Sequence, residues 1–250
     1  MTASIIPWVV FWLFLHQSLE PACACQQVVI KALGWLALIR RNLEISPNTS
    51  AYCRARGRLK EDGLLKILQH TSSWLKAQVQ SGHLGHRFRV VVAGGTTLSL
   101  PDTEENQKEY PQQKSQKPGC GFPLLRLLVF FSLETGAVWK QAVGSFYDSE
   151  AALFRSLARR LQPSDLLLYD RGLCDFYDLA CLQQRQVNFV VRFKEHITRS
   201  VTHHRRLGKK DRLVRWRKPK PGQCSGDAFE RNVRLPSGFQ LPPGRYCHFF

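Results

Sequence analysis

Asp170 is the carboxylate whose place in the sequence most clearly suggests chemistry. It directly follows the apolar string Leu166–Tyr169 and is followed by Arg171. A short, wholly apolar string predicts a strand buried inside a sheet, and open α/β sheets bind ligands at the ends of such strands. A carboxylate there can hold a hard divalent ion such as Mg²⁺. The alternative is structural, with Asp170 pairing with Arg171 or capping the next turn, and from this residue alone the structural alternative is favoured.

The basic segment of residues 192–234 is a second feature with chemical meaning. It holds 14 Lys and Arg residues against 4 Asp and Glu residues, so it carries more than half of the formal net charge of +17. Lys and Arg side chains neutralise phosphates and release counterions, so we expect salt-dependent binding to DNA. An anionic membrane surface and a solvated basic face are the alternatives.

The eight cysteines give no sign of a zinc site. None of them forms a C-x-x-C pair, which is the strongest zinc signature in a sequence. Free thiols in a reducing compartment are the simpler interpretation, and we therefore expect a cytoplasmic protein.

The apolar run at residues 5–15 resembles the apolar part of a secretory signal peptide. However, no Lys or Arg precedes it, and it is too short to span a bilayer as a helix. We therefore expect a buried helix with Pro7 in its first turn, and no association with a membrane.

The elements that must position these residues begin with helices. Residues 1–80 show helical spacing of apolar side chains, and a turn at 46–50 can cap one long helix over 51–80. Basic residues and leucines alternate in that helix, which predicts a small bundle with one basic face. A solvated face explains these cations at least as well as DNA binding does.

From residue 86 the pattern becomes that of strands. Residues 87–100 are β-branched and predict a buried strand that runs into a turn at Gly94-Gly95. A polar loop at 101–123 precedes two more strands. Helices capped by Ser149 and Asp175 then alternate with two short strands. This order predicts a mixed α/β sheet with helical cover.

Several strings resemble those of transposases of the insertion-sequence-four group. They occur in the family's order and extend over most of the chain, to about Lys220. The strings are SPNTSAYCRARGRL (46–59), GGTTLSLPDTEENQKEYPQQKSQKPGCGFPLLRLLVFFSLETGA (94–137), DLLLYDRGLCDFYDLACL (165–182) and RRLGKKDRLVRWRKP (205–219).

The resemblance implies an α/β protein with an incomplete ribonuclease-H-like mixed sheet. It divides the chain into a helical N-terminal region at 1–80, a catalytic core at 86–196 and a truncated, basic β-rich insertion at 197–250. Members of the family hold two Mg²⁺ ions with three acids, Asp, Asp and Glu. Such a two-metal site activates water to free a 3′-OH, which then attacks target DNA.

The sequence departs from the family pattern at two of the three acids. The second acid, a metal ligand, matches Asp170, but Gly94 stands at the position of the first. Asp102 belongs to the string that follows the first acid in the family. The third acid lies in a helix with the spacing Y-x2-R-x3-E-x6-K, which does not occur before Phe250. We therefore expect that this chain does not bind Mg²⁺ productively and is catalytically defective.

The resemblance also suggests which residues contact DNA, because the β-rich insertion of relatives grips the end of the element. Trp216 could stack on a displaced base, or it could be a buried residue of the insertion. The expected phosphate contacts are Arg171, Arg205, Arg206, Lys209 and Lys210.

Two functions follow from these observations. The first is that of a DNA transposase-family protein, with DNA binding and DNA-mediated transposition, in a copy that is catalytically defective. The second is that of a non-catalytic DNA-binding or inhibitory remnant of a transposase. The expected partners are the element ends, target DNA, and a second copy or an intact transposase.

Overall fold

The computed structural model describes residues 7–39, 47–79, 88–163, 165–192, 201–208, 211–218 and 244–247. The chain divides into two compact units, Met1–His70 and Thr71–Phe250. The sequence predicted three parts, with boundaries near residues 80 and 196, and that division stays a prediction.

The first unit is helical, as the apolar spacing predicts. It contains α1 (Pro7–Leu19), α2 (Cys25–Ile39), α3 (Ser50–Arg56) and the first part of α4 (Glu61–Gln78). Its core is small and is built from side chains of the first three helices, namely Val10, Val28, Val29, Tyr52 and Ala55.

The single helix predicted over residues 51–80 is instead two helices. The amides of Arg58 and Leu59 bond to carbonyls three residues earlier, at 3.1 and 3.0 Å, which tightens and ends α3. A new helix begins at Glu61, and the acidic side chains of Glu61 and Asp62 favour a helix N-terminus there. Apolar spacing continues through the break, which is why the pattern suggested one helix.

The N-terminal apolar run forms α1, and Pro7 is its first residue, as expected. The expectation that this helix is buried is wrong. Val10 is buried, whereas Trp8 and Trp12 are each 58% exposed. Residues 7–15 of this helix are all apolar, so only one stripe of them can face a core as small as that of the first unit. None of the helices in the described ranges is long and apolar enough to cross a membrane.

The second unit contains a five-stranded mixed sheet. Strands β1 (Val90–Ser99), β2 (Leu124–Ser132) and β3 (Val138–Ser145) form an antiparallel meander. Strands β4 (Leu166–Tyr169) and β5 (Asn188–Val191) run parallel to β1, and the order is β3-β2-β1-β4-β5. This is the order and direction of strands in a ribonuclease-H-like sheet, so the predicted fold class is confirmed.

Helices connect the parallel part of the sheet, and their caps are those predicted. The Ser149 hydroxyl accepts a hydrogen bond from the Ala152 amide at the start of α6 (Glu150–Ala158). Asp175 accepts from two amides at the start of α7 (Phe176–Gln184). The segment 101–123, predicted as a loop, contains the short helix α5 (Glu104–Glu109), which is capped by Thr103. Thr103 followed by two glutamates is a local helix-start signal that the loop prediction did not weigh.

Helices α6 and α7 cover one face of the sheet. Phe154 and Leu157 from α6 and Phe176 from α7 share a buried core with Leu128 and Leu167 of the strands. The opposite face is apolar but partly exposed, because strand residues alternate between faces. Leu98, Val143 and Val190 on the strands are exposed by 40–60%.

Two ion pairs with buried carboxylates connect segments of this unit. The Arg89 guanidinium donates to both Asp165 oxygens, with Nε–Oδ1 at 2.8 Å, and lies 4.3 Å from the centre of the Trp139 ring. Arg155 on α6 donates from Nε to Asp178 Oδ1 on α7 at 2.7 Å. Two-point contacts of this kind fix the relative positions of the elements as well as adding binding energy.

A second sheet follows the first along the chain. It has three antiparallel strands, β6 (Val201–Arg206), β7 (Asp211–Trp216) and β8 (Gly244–Cys247), in that order. Its Trp216 belongs to the buried core shared by the five-stranded sheet and its helices, and its ring contacts Phe176 of α7.

Candidate functional site

Asp170 lies directly after the last residue of β4, where the sequence places it. Its side chain is 69% exposed, and its Oδ1 lies 3.2 Å from Nε of Arg192. The side chain makes no capping hydrogen bond to the helical turn Arg171–Leu173. The structural alternatives, an ion pair with Arg171 or a cap, are therefore both wrong, because the partner of Asp170 is the residue that follows β5.

The register of the parallel strands explains this pairing. Tyr169 of β4 is paired with Val191 of β5, so the next residues, Asp170 and Arg192, lie at the same level. On the other side, Val92 of β1 is paired with Leu168, and extending that register by two residues places Gly94 beside Asp170. Gly94, Asp170 and Arg192 thus form a row across three adjacent strands.

Gly94 and Gly95 do not form the predicted turn. They lie inside β1, opposite Val129 and Leu128 of β2. Neither glycine has the positive φ that a tight turn would need. Two glycines are a turn signal locally, but the ladder with β2 continues past them as far as Ser99.

The two glycines face opposite sides of the sheet. A Cβ on Gly94 would meet only the Phe131 ring, at 3.8 Å, so this side has room for a side chain. A Cβ on Gly95 would overlap the Glu150 carboxylate and lie 3.3 Å from Leu128. Glu150 therefore approaches β1 from the face opposite to the one that Gly94 shares with Asp170.

The residues at this edge do not fit a pair of magnesium ions. Across the ranges that the structure describes, no group of three or more His, Cys, Asp or Glu side chains could hold a metal. Asp170 supplies one carboxylate, Gly94 supplies none, and Arg192 brings a positive charge. Each ion of a two-metal site needs several oxygen ligands.

The structure describes some of the basic residues of the second sheet. Arg205 and Arg206 on β6 are exposed, and Arg206 donates from Nε to the Gly208 carbonyl at 3.2 Å. Arg217 and Lys218 after β7 are exposed as well. Arg171 is exposed next to Asp170, beyond the first sheet. Lys209 and Lys210 lie outside the described residues.

Trp216 is placed as a structural residue. Its side chain is 6% exposed, and its ring meets the Phe176 ring edge-on, with centroids 5.5 Å apart. A base could not stack on a ring in this position. The structure therefore favours the alternative raised from the sequence, a buried residue of the β-rich region.

Arg192 is the residue of the site that sequence reasoning missed. A signal for it was present, because the two short parallel strands are equally long and each is followed by a charged residue, Asp170 after LLLY and Arg192 after NFVV. Aligning the two strands end to end would have paired these residues.

The sequence matches no protein-family model and no curated protein. The chain is distantly similar to several solved structures. A piggyBac transposase synaptic complex with hairpin DNA is 8% identical with a TM-score of 0.36, covering 94% of this chain. A Mos1 transposase paired-end complex with a left transposon end is 11% identical with a TM-score of 0.28, covering 76%. The Mos1 strand transfer complex is 12% identical with a TM-score of 0.28, covering 77%.

The chain spans 60% of the length of each of these three transposases. Because these identities and TM-scores are low, the similarity assigns no activity to this chain. The fold class depends on the strand order of the five-stranded sheet and not on this similarity.

Proposed function

We propose that this chain is a DNA-binding homologue of the DDE transposases that does not itself carry out metal-dependent strand cleavage. The observation that carries the proposal is the row Gly94, Asp170 and Arg192 at the edge of a ribonuclease-H-like sheet. Asp170 is the residue that matches the second acid of the family pattern in the sequence, and its neighbours in this row are a glycine and an arginine instead of further acids.

The chemistry of phosphoryl transfer explains why a row of one acid, a glycine and an arginine is unsuited to strand cleavage. Two divalent ions must bind close together so that one activates the nucleophile and the other stabilises the leaving oxygen. A single carboxylate cannot hold both ions, and the positive charge of Arg192 disfavours a cation beside Asp170. A missing carboxylate should cost at least several kcal/mol of transition-state stabilisation, which is on the order of a thousandfold in rate.

In this proposal the chain keeps the DNA binding of the family and lacks its strand cleavage. Exposed arginines on β6, together with Arg217 and Lys218, give the second sheet a positive surface. The chain as a whole carries a formal net charge of +17. Contacts of this kind bind the phosphate backbone, so the affinity falls steeply as salt rises.

The alternative function is full transposition chemistry with Mg²⁺. The match of Asp170, Arg171 and Gly172 to the family's second acid and its neighbours favours this alternative. The missing metal ligands would then have to come from another chain, such as a second copy or an intact transposase. If this chain paired with an intact transposase and contributed no ligands, it would inhibit that transposase.

Binding of duplex DNA by the purified protein at several salt concentrations tests the DNA-binding part. We expect the double variant Arg205→Ala/Arg206→Ala to lower both the affinity and the slope of its salt dependence. The control is Arg159→Ala/Arg160→Ala, which removes two exposed arginines after α6 and should change the affinity less. Equal losses in the two double variants, or an affinity independent of salt, would contradict binding through the second sheet.

A nicking assay with Mg²⁺ or Mn²⁺ on supercoiled and linear DNA tests the catalytic part. We expect no strand cleavage above that of the Asp170→Asn variant. Cleavage by the native protein that is absent from Asp170→Asn would show that Asp170 still takes part in metal chemistry, and the alternative function would then hold.

A further inference from the structure

The ion pair between Asp170 and Arg192 leaves the Arg192 guanidinium open to a second anion. The contact is made at Nε, which lies 3.2 Å from Asp170 Oδ1, and the Arg192 side chain is 64% exposed. A guanidinium presents five N–H donors in a planar fork. A carboxylate at Nε uses the side of that fork, so the end formed by the two Nη groups is able to donate to another pair of oxygen atoms.

Asp170 also holds this guanidinium in place. Tyr169 and Val191 form a registered pair of the parallel strands β4 and β5. The residues that follow them, Asp170 and Arg192, therefore stand at the same level. A long side chain loses conformational freedom when it binds a ligand, and a side chain that a neighbour already holds loses less. Asp170 is therefore a positioning residue for Arg192, although its own charge repels an anion.

The charges along this edge of the sheet favour an anion. Asp170 contributes one negative charge, whereas Arg192 and the exposed Arg171 contribute two positive charges. Gly94, the neighbour of Asp170 on β1, adds no carboxylate. The balance of these residues is one positive charge, on a chain whose formal net charge is +17. An anion that approaches this edge is therefore attracted both by the nearby arginines and by the chain as a whole.

The same edge has room for a group that approaches from solvent. A Cβ on Gly94 would meet only the Phe131 ring, at 3.8 Å, and a Cβ on Gly172 would meet nothing within 4 Å. Thr96 is exposed and lies on the same face of β1 as Gly94, because side chains alternate along a strand. Its hydroxyl is a further donor of the kind that contacts phosphate oxygens.

We propose that this edge of the five-stranded sheet binds a phosphodiester of DNA directly, through the Arg192 guanidinium and without a metal ion. The inference rests on the proposed function, because DNA is the ligand in both. The two Nη groups of Arg192 donate to two phosphate oxygens, and Arg171 adds a second positive charge beside them. A guanidinium matches the two-pronged geometry of a phosphate, which the point charge of a lysine does not. The site thus prefers an anion where a two-metal centre would prefer cations.

A double variant that leaves the net charge unchanged tests the proposal. Asp170→Asn/Arg192→Gln removes one negative and one positive charge from two exposed side chains of the full-length protein. We expect its affinity for duplex DNA to fall about tenfold at about 0.1 M salt, and the slope of log affinity against log salt to fall by about 0.9. Binding equal to that of the native protein would overturn the proposal, because the pair would then be an exposed ion pair and nothing more.

Two further variants separate this inference from the proposed function. Arg160→Gln, the matched control, removes an exposed arginine after α6 and should lower the affinity less than the charge-neutral double variant does, and an equal loss would overturn the site.

Arg205→Ala/Arg206→Ala reports on the second sheet. If only this variant loses affinity, the site at Arg192 is overturned and the proposed function stands. If only Asp170→Asn/Arg192→Gln loses affinity, the site is supported and binding through the second sheet is contradicted. If the native protein does not bind duplex DNA, both proposals are overturned.

Discussion

Gly94 and Asp170 lie side by side at the same level of two neighbouring parallel strands, two residues beyond the last registered pair, Val92 and Leu168. Side chains at equal levels of parallel strands point to the same face, and adjacent strands are about 4.8 Å apart. An acid at position 94 would therefore stand next to Asp170. The resemblance of the sequence predicts a first acid at position 94, and this position has the geometry that an acid beside Asp170 would need.

The Gly94→Asp variant tests whether that geometry is sufficient for two carboxylates to bind a divalent ion. The space around position 94 accepts a side chain, with Phe131 at 3.8 Å, so we expect the variant to fold. Two neighbouring carboxylates should bind Mn²⁺ more tightly than one, measured by titration calorimetry, and the gain should vanish in Gly94→Asp/Asp170→Asn. We expect no DNA cleavage, because two acids are too few for two ions. Cleavage by Gly94→Asp alone would show that a third ligand is present.

The Asp178→Asn variant should lower the free energy of unfolding by about 3–5 kcal/mol. Asp178 is buried and receives two bonds from Arg155, so its neutral analogue leaves the guanidinium without its counter-charge. Urea unfolding measures the change.

Asp170→Asn is the matched control for that experiment. It breaks the exposed pair with Arg192, and such pairs contribute about 0–1 kcal/mol. If the two variants lost equal stability, the assignment of Asp178 as a structural ion pair and of Asp170 as an exposed residue would be wrong.

The Tyr169→Phe variant should be at least as stable as the native protein at pH 8. The Tyr169 hydroxyl is buried and makes no hydrogen bond within the described part of the chain, so its removal relieves a desolvation cost of about 1–3 kcal/mol. Unfolding in urea is the appropriate measurement. A loss of more than about 1 kcal/mol would indicate a bonded hydroxyl.

The same residue gives a prediction at alkaline pH. Burial raises the pKa of Tyr169 well above its ordinary value of about 10. The folded state therefore keeps the proton where the unfolded chain releases it, so stability is retained below pH 10 and declines as the pH rises above 10. We expect unfolding free energies measured between pH 9 and 11 to fall less steeply in Tyr169→Phe. Identical slopes would contradict the burial of the hydroxyl.

The Trp216→Ala variant should have a lower free energy of unfolding than the native protein. We expect this loss because the ring is part of the core, and we do not expect the ring to make a specific contact to DNA. The ring packs against Phe176 inside the core, and truncating a buried Trp costs about 3–5 kcal/mol. Trp74→Ala is the control, because that side chain is 56% exposed on α4. Calorimetric melting of both variants measures the difference. Unchanged stability in Trp216→Ala with weakened DNA binding would return Trp216 to the role of a stacking residue.

Much of the second unit could be predicted because its signals are local. Ser149 and Asp175 carry side chains that cap helices, and LLLY is too short and too apolar to be anything but an inner strand. The order of these elements then allows few topologies, because parallel strands must be joined by crossovers. The predicted position of Asp170 followed from the same signals.

The remaining features depend on partners that are distant in sequence. Gly94-Gly95 is a turn signal by itself, and only the ladder with β2 keeps it extended. The exposure of Trp8 and Trp12 on α1 depends on how small the core of the first unit is. Arg192 reaches Asp170 only because β4 and β5 end at the same level. Local patterns do not record such relationships.

The central place of β1 has a consequence for how the chain folds. β1 pairs on one side with β2, its successor along the chain, and on the other with β4, which is far away in sequence. Pairings between distant segments form slowly, because a long stretch of chain must close before any contact is gained. We expect the meander of β1, β2 and β3 to be structured early, with β4 and β5 joining late. The edge that holds Gly94, Asp170 and Arg192 would then be among the last parts of the sheet to form and, in hydrogen exchange, among the first to open.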